Sequence, residues 1–365
     1  MKILQICMSR GFGGLELYVL KVAKYLANNN FQFNVLTRKD SFLTSKLSEN
    51  QIPSESFTSV FYHLPLFSAI KLSRYIDKNE IDILHIHWGN DLFLAVLAKV
   101  FSSRKVKLVY TRQMSLTREK NDIYHHFLYK NVDAYLVITQ VLYDDAIKYL
   151  PIKKENVHLL YYGVPAVEKN AFDCDKYLSE LGMDNSTFRL AIFGRIEKGK
   201  GQHLVVDAVK NLKKQGKIIQ LGIIGHIMDE AYFDAIKDDI KKNALENNIL
   251  YLGFHNQPTH IMPCFDAVIL ATKCETFGLV LPEAMRAGVA VIGSNCGGVP
   301  EIIDHEKTGL LFESENVSDL TTQLAKLVDD REFCKKLASA GKADADQRFS
   351  EEKHFKKLIE YFQSS

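Results

Sequence analysis

Two glutamates, Glu275 and Glu283, lie in the stretch KCETFGLVLPEAM, residues 273–285. Carboxylates this close in sequence could serve as a general acid/base pair, as metal ligands or as two solvated charges. Pro282 suits the first turn of a helix, where its missing N–H would have no partner anyway. That predicts Glu275 in a loop and Glu283 in the first turn of a helix over PEAMRAG. The two would then border one pocket from two sides rather than share a helix face. The amides of Phe277, Gly278, Leu279 and Val280 lie between them, where they can point at a bound oxyanion. Gly278 allows close backbone approach. Stabilisation of a helix dipole would account for Glu283 by itself but not for Glu275.

A second constellation is FGRIEKGKG, residues 193–201. Gly194 and Arg195 follow a strand-like run, and Lys200 sits in a glycine-rich loop that opens a helix. Two cations converging on a helix start suit a phosphate or diphosphate. Read alone, the stretch is equally a solvated basic turn. Further on, Gly297 and Gly298 build a tight turn before Pro300 and Glu301, which a plain strand-to-helix turn explains.

The elements that must position these residues alternate. KILQIC, FQFNVLTR, DILHIHW, KLVYTR and DAYLVIT read as strands in the first half, with helical stretches between them. The pattern restarts with RLAIFGRI, IQLGIIG, ILYLGF, DAVILAT and AVIGSN. Strands alternating with helices imply parallel βαβ units in a doubly wound sheet. The expected architecture is α/β, with two Rossmann-like domains facing a central cleft. Their expected limits are 1–163 and 164–349, with the helix 350–365 packing back on the first domain. Ligands of such sheets bind at the carboxyl ends of the strands.

The first half carries three features of its own. In SRGFGGLE, residues 9–16, Glu16 stands where the third glycine of a dinucleotide fingerprint belongs, so that reading fails, although backbone amides there could still meet a phosphate. In HIHWGND, residues 85–91, His85 and His87 share one face of a strand. They lack a third nearby ligand, so the favoured reading puts His87 at a strand end, hydrogen-bonding an acceptor or sugar. Trp88 is a stacking platform or a core residue. In VYTRQMSLTREK, residues 109–120, Arg112 and Gln113 end a strand.

Composition narrows the function classes. The 365 residues are 47% hydrophobic and 25% charged, ordinary for a globular chain with room for two cores. No apolar run approaches the roughly 20 residues of a membrane span. The N-terminus reads as a first strand rather than a signal peptide, so a cytoplasmic protein is expected. The six cysteines show no CxxC pair and are expected to be reduced and mostly buried. Net charge is +2, but residues 1–170 hold 22 Lys and Arg against 15 Asp and Glu, and the remainder holds 24 against 29. A basic first half could meet anionic lipid or an acidic substrate, or reflect ordinary surface composition.

Taken in order, Gly13–Glu16, Gly194-Arg195, Lys200-Gly201, Glu275-x-Phe277-Gly278, Glu283-Ala284 and Gly297-Gly298-x-Pro300-Glu301 resemble the family 4 glycosyltransferases of the GT-B fold over nearly the whole chain. Glu275 and Glu283 match the family's E-x7-E signature. The resemblance implies a retaining transfer of a hexose from a nucleotide diphosphate sugar, a UDP-sugar favoured over a GDP-sugar, to a hydroxyl of a glycan or lipid-linked acceptor in surface polysaccharide synthesis. By position, Arg195 and Lys200 would bind the diphosphate, Glu275 the transferred sugar and Glu283 the ribose. Gly13 and Gly14, at a helix start, would approach the distal phosphate. The base would lie near Gly225 and YLGF, residues 251–254. The resemblance further implies no metal, no cofactor and no nucleic-acid partner, and peripheral contact with the inner membrane. Gln113 departs from the family, which often has histidine there. A sugar-nucleotide epimerase or a non-catalytic sugar-nucleotide-binding subunit are the alternative readings.

Overall fold

The computed structural model describes residues 1–11, 13–57, 65–116, 118–167, 172–184 and 186–364. Residues 168–171 and 185, just past the expected limit at 163, therefore lie outside the described residues. The chain divides into two compact units, Met1–Tyr161 with Glu352–Ser365, and Tyr162–Glu351.

Unit 1 is built on strands β1 (Lys2–Cys7), β2 (Gln32–Thr37), β3 (Ser54–Ser56), β4 (Ile83–Ile86), β5 (Lys107–Arg112), β6 (Ala134–Val137) and β7 (Val157–Leu159). They form one parallel sheet in the order β3-β2-β1-β4-β5-β6-β7. The order reverses between β1 and β4, which makes the loops after these strands a ligand-binding switch point. The helix Gly14–Asn28 follows β1, with Gly13 at its N-cap. The last helix, Glu351–Gln363, covers this unit: Phe355 stacks on Tyr25 at 4.4 Å and Phe362 meets His85 edge-on at 5.1 Å.

Unit 2 is built on β8 (Phe188–Phe193), β9 (Ile219–Ile224), β10 (Ile249–Tyr251), β11 (Ala267–Leu270), β12 (Ala290–Ser294) and β13 (Leu310–Phe312). These are also parallel, in the order β10-β9-β8-β11-β12-β13. Here the switch point lies between β8 and β11. Strands β9, β11 and β12 are buried along their whole length, as expected for a parallel sheet covered on both faces. The fold is α/β, with two Rossmann-like sheets.

Candidate active site

The β8/β11 switch point of unit 2 carries the predicted charges. The loop after β8 runs through Arg195 and a single 3-10 turn, Lys198–Lys200, into the helix Gln202–Lys214. Gln202 ties the loop by donating from Nε2 to the Arg195 carbonyl at 2.9 Å. Gly201 has φ +73°, and a Cβ there would lie 2.1 Å from the Ala271 carbonyl oxygen, so the loop can press against the end of β11 only with glycine. That approach delivers Lys200 to Glu275: Nζ and Oε2 are 2.8 Å apart, with both side chains about a quarter exposed. Arg195 pairs with Glu197 at 2.9 Å.

The Glu275 loop is braced from its other side. Gly298 N donates to the Glu275 carbonyl at 2.9 Å, and Glu275 and Gly297 form an isolated parallel bridge. Gly297 has φ +63°, and a Cβ on it would stand 2.1 Å from that same carbonyl oxygen. The following helix spans Val280–Arg286, so it begins two residues before PEAMRAG. Leu279 is already helical at φ −48° and ψ −33°. Pro282 fits the third helical position because no amide in the first turn has an acceptor four residues back. Glu283 lies in this first turn. The Phe277 ring is buried against Tyr162 (5.3 Å) and Phe349 (5.9 Å).

A cavity of about 290 Å³ opens beside these loops. Gly194, Arg195, Gly225, Val280 and Glu283 line it, as do His226 and Phe254. Sequence reasoning did not single out His226; its one signal was its place directly after Gly225 at the end of β9. Lys200 and Glu275 are not part of that wall; they form the adjoining ion pair.

At the corresponding edge of unit 1, His85, His87 and Gln113 are buried. His85 and His87 have ring centroids 4.1 Å apart, and His85 Nε2 bonds the Thr111 hydroxyl at 2.8 Å. Neither ring nitrogen of His87 and neither amide atom of Gln113 has a hydrogen-bond partner among the described residues. Burial holds His87 neutral, pulling its pKa down to about 3. Asp91 accepts from Met8 N at 3.0 Å, and burial pushes its carboxyl up to about 7. The Arg112 guanidinium donates to the carbonyls of Met114 (2.6 Å) and Ser115 (2.9 Å) and to the Tyr110 hydroxyl (3.0 Å). It thereby shapes the loop after β5. His354, from the last helix, bonds the Tyr18 hydroxyl at 2.9 Å.

The cysteines correct an expectation. Cys174 and Cys264 form a disulfide across 90 residues of sequence, with Cα atoms 5.0 Å apart, rather than two reduced thiols. The pair is invisible to spacing rules because the helix Cys174–Glu180 meets the turn Met262–Cys264 only in the folded unit. Cys274 is exposed, not buried, and contact with Cys296 pushes its thiol up to about 11.

Two parallel Rossmann-like sheets with this loop chemistry define a GT-B glycosyltransferase, and comparison with known proteins specifies the family. The model of Glycosyltransferase Family 4 matches residues 12–167, and that of Glycosyl transferases group 1 matches residues 173–344. The chain is a family 4 glycosyltransferase. It is 24% identical over 356 residues to N-acetyl-alpha-D-glucosaminyl L-malate synthase of Bacillus anthracis, covering 93% of this chain and 91% of that one. It is 26% identical to N-acetylgalactosamine-N,N'-diacetylbacillosaminyl-diphospho-undecaprenol 4-alpha-N-acetylgalactosaminyltransferase of Campylobacter jejuni, covering 92% and 93% of the two chains. Among solved structures, Anabaena HepE in complex with UDP superposes with a TM-score of 0.87 at 23% identity over the full length of both chains.

Proposed function

We propose that this chain transfers a hexose from a nucleotide diphosphate sugar, UDP-linked in preference to GDP-linked, to a hydroxyl of a glycan or lipid-linked acceptor, with retention at the anomeric carbon. The observation that carries the reading is the Lys200–Glu275 pair beside a cavity lined by Arg195 and Glu283. A departing nucleoside diphosphate gathers negative charge on its outer phosphate. Arg195 and Lys200 stabilise that charge where it develops. A diphosphate competes with Glu275 for the Lys200 ammonium, and its arrival frees the carboxylate to accept from hydroxyls of the sugar. Glu283 accepts from the ribose, and the loop amides of residues 277–280 face the phosphates. In unit 1, the helix start at Gly13 and Gly14 suits a phosphate, and neutral His87 and Gln113 can donate to and accept from a hydroxyl.

UDP as the leaving group is supported by the UDP-bound relative of the same fold, and a glycan-building role by the diphospho-undecaprenol named for the Campylobacter relative. Two fixed cations can replace a divalent metal here. Calorimetry with UDP- and GDP-sugars, with turnover measured in EDTA, tests the reading. Binding of a UDP-sugar and EDTA-insensitive turnover are expected. Failure of every nucleotide sugar to bind, or loss of turnover in EDTA, overturns the donor site or its metal independence respectively.

The reading extends to an anionic membrane surface, where a lipid-linked acceptor would reside. No helix among the described residues is long and apolar enough to cross a membrane. The helix Leu66–Asn79 instead presents Phe67 (85% exposed), Ile70, Lys71, Arg74 and Lys78 outward at helical spacing. Apolar residues backed by cations suit peripheral docking on anionic lipid. Sedimentation with phosphatidylglycerol vesicles, lost in Phe67→Ser/Lys71→Ser, is expected. Equal sedimentation of the variant removes this helix from the contact.

A further inference from the structure

Four cysteines remain free beside the Cys174–Cys264 bond, and two of them, Cys7 and Cys334, are buried. The other two stand together in the loops that carry and brace Glu275. Cys274 immediately precedes Glu275 after β11, and Cys296 immediately precedes Gly297 after β12. Glu275 and Gly297 are paired in a parallel bridge, so the residues before them lie side by side with their side chains on one face. Paired strands lie about 4.8 Å apart, inside the Cα separation of roughly 4.4–6.8 Å that a disulfide spans. The two thiols are hydrogen-bonded to each other. A Cβ on Gly297 would stand 3.2 Å from Cys274 Sγ. Cys274 is exposed and Cys296 half-buried, so a small molecule can reach the pair from the Cys274 side.

Closing this pair would move Glu275. Cys296 is held in its own turn: its N–H donates to the Ser294 carbonyl at 2.8 Å, and its carbonyl accepts from Val299 N at 3.4 Å. A disulfide bond is about 2.05 Å long, so two sulfurs in contact must draw together by roughly 1 Å or more. With Cys296 anchored, that movement falls on Cys274 and on the residue joined to it. The Glu275 carboxylate meets Lys200 at 2.8 Å, and this is the contact the movement would disturb.

The Cys274 thiol is pushed up to about 11, first by its hydrogen bond to Cys296 and then by burial. It therefore keeps its proton at neutral pH. The thiolate is the attacking species in thiol–disulfide exchange, so the pair should close slowly at neutral pH and faster as pH rises.

We propose that Cys274 and Cys296 form a modification site, a dithiol that a small-molecule disulfide converts to a Cys274–Cys296 bond, and that this bond slows transfer by displacing Glu275. In the step the two thiols give up two protons and two electrons and an Sγ–Sγ bond forms. The sulfur–sulfur bond of the oxidant breaks, and its two halves leave as thiols. The effect on transfer rests on the proposed transfer reading; the dithiol chemistry does not.

The full chain is equilibrated with mixtures of glutathione and glutathione disulfide, quenched by alkylation and mapped by peptide mass spectrometry. Trypsin cuts after Lys273 and Arg286, which puts Cys274 and Cys296 on separate peptides, so a bond between them is seen directly. The linked peptides are expected to accumulate as the share of glutathione disulfide rises, to disappear in excess glutathione, and to form faster at higher pH. Release of UDP from UDP-glucose is expected to fall about tenfold to a hundredfold on closure, the scale of misplacing one positioning group, with UDP affinity by calorimetry within about threefold. The double variant Cys274→Ser/Cys296→Ser is expected to keep its melting temperature and to lose the response to oxidant. In Cys296→Ser the oxidant is expected to leave glutathione on Cys274 instead. The Cys174–Cys264 bond is retained in both variants, so a response that survives in the double variant belongs to that bond and overturns the proposal. So does the absence of linked peptides at every ratio, or their formation with unchanged turnover. If the reduced chain neither binds UDP nor releases it from UDP-glucose, the transfer reading fails. The peptide map, with the change in hydrogen exchange of residues 274–286 on oxidation, then decides this one.

Discussion

At the β8/β11 switch point Lys200 and Glu275 face each other at 2.8 Å, about a quarter exposed, on loops clamped by Gly201 and Gly297. Just past β4 and β5, His87 and Gln113 are buried and uncharged, with their polar side-chain atoms unmatched by the described residues. The same topology thus supports two kinds of edge. The first holds full charges that remain near water and answer each other, which limits their desolvation cost. The second removes polar groups from water and keeps them neutral, a state suited to hydroxyls rather than phosphates.

The largest expected effect breaks the charged edge. Glu275→Ala should lower kcat/KM about a thousandfold or more, the scale of losing a charged contact made in the transition state, while UDP affinity by calorimetry stays within about threefold. Near-normal turnover in that variant would remove Glu275 from the sugar site. Lys200→Ala should weaken UDP binding by about tenfold to a hundredfold, as expected for one charge-assisted contact to a phosphate. Unchanged UDP affinity would dissolve the link between the ion pair and the diphosphate.

The smallest effect sharpens the neutral edge and is read as stability against pH. His87 and His354 have folded pKa values of about 3 and 4, lowered first by burial. The stability they contribute is present above the unfolded value near 6.5 and is lost as pH falls towards the folded values. Asp91, raised to about 7 by burial, has the opposite sign: its contribution is present at low pH and is lost as pH rises through 7. Between pH 4 and 6.5 the buried histidines His85, His87 and His354 oppose one aspartate, so acidification should lower unfolding stability, by about 1.4 kcal/mol per pH unit for each net proton taken up on unfolding. Asp91→Asn should steepen that slope, and His87→Gln should flatten it. Urea unfolding at three pH values checks both, and identical slopes in all three proteins would contradict the buried neutral state.

The β8/β11 edge was the more legible in sequence because its residues sit in short loops punctuated by glycine and proline. Gly201, Gly278 and Pro282 mark where the chain must turn, and the charges follow in the next few positions. Even there the helix start was misplaced by two residues, since proline is tolerated at any of the first three helical positions. The unit 1 edge was less legible. His87 and Gln113 follow different strands, and His87 packs on Tyr18, which in turn meets His354 of the last helix, more than two hundred residues further along the chain.

Sequence alone determined the α/β class, the two successive sheets and the loops that carry the charges, because hydrophobic periodicity and turn chemistry are local properties. Only the tertiary structure decided that Lys200 meets Glu275 and that Cys174 meets Cys264. Each of these pairs joins loops or helices distant in the chain. Strand order brings them together, and strand order is set by how crossovers pack on a sheet, not by the spacing of any residues in one stretch.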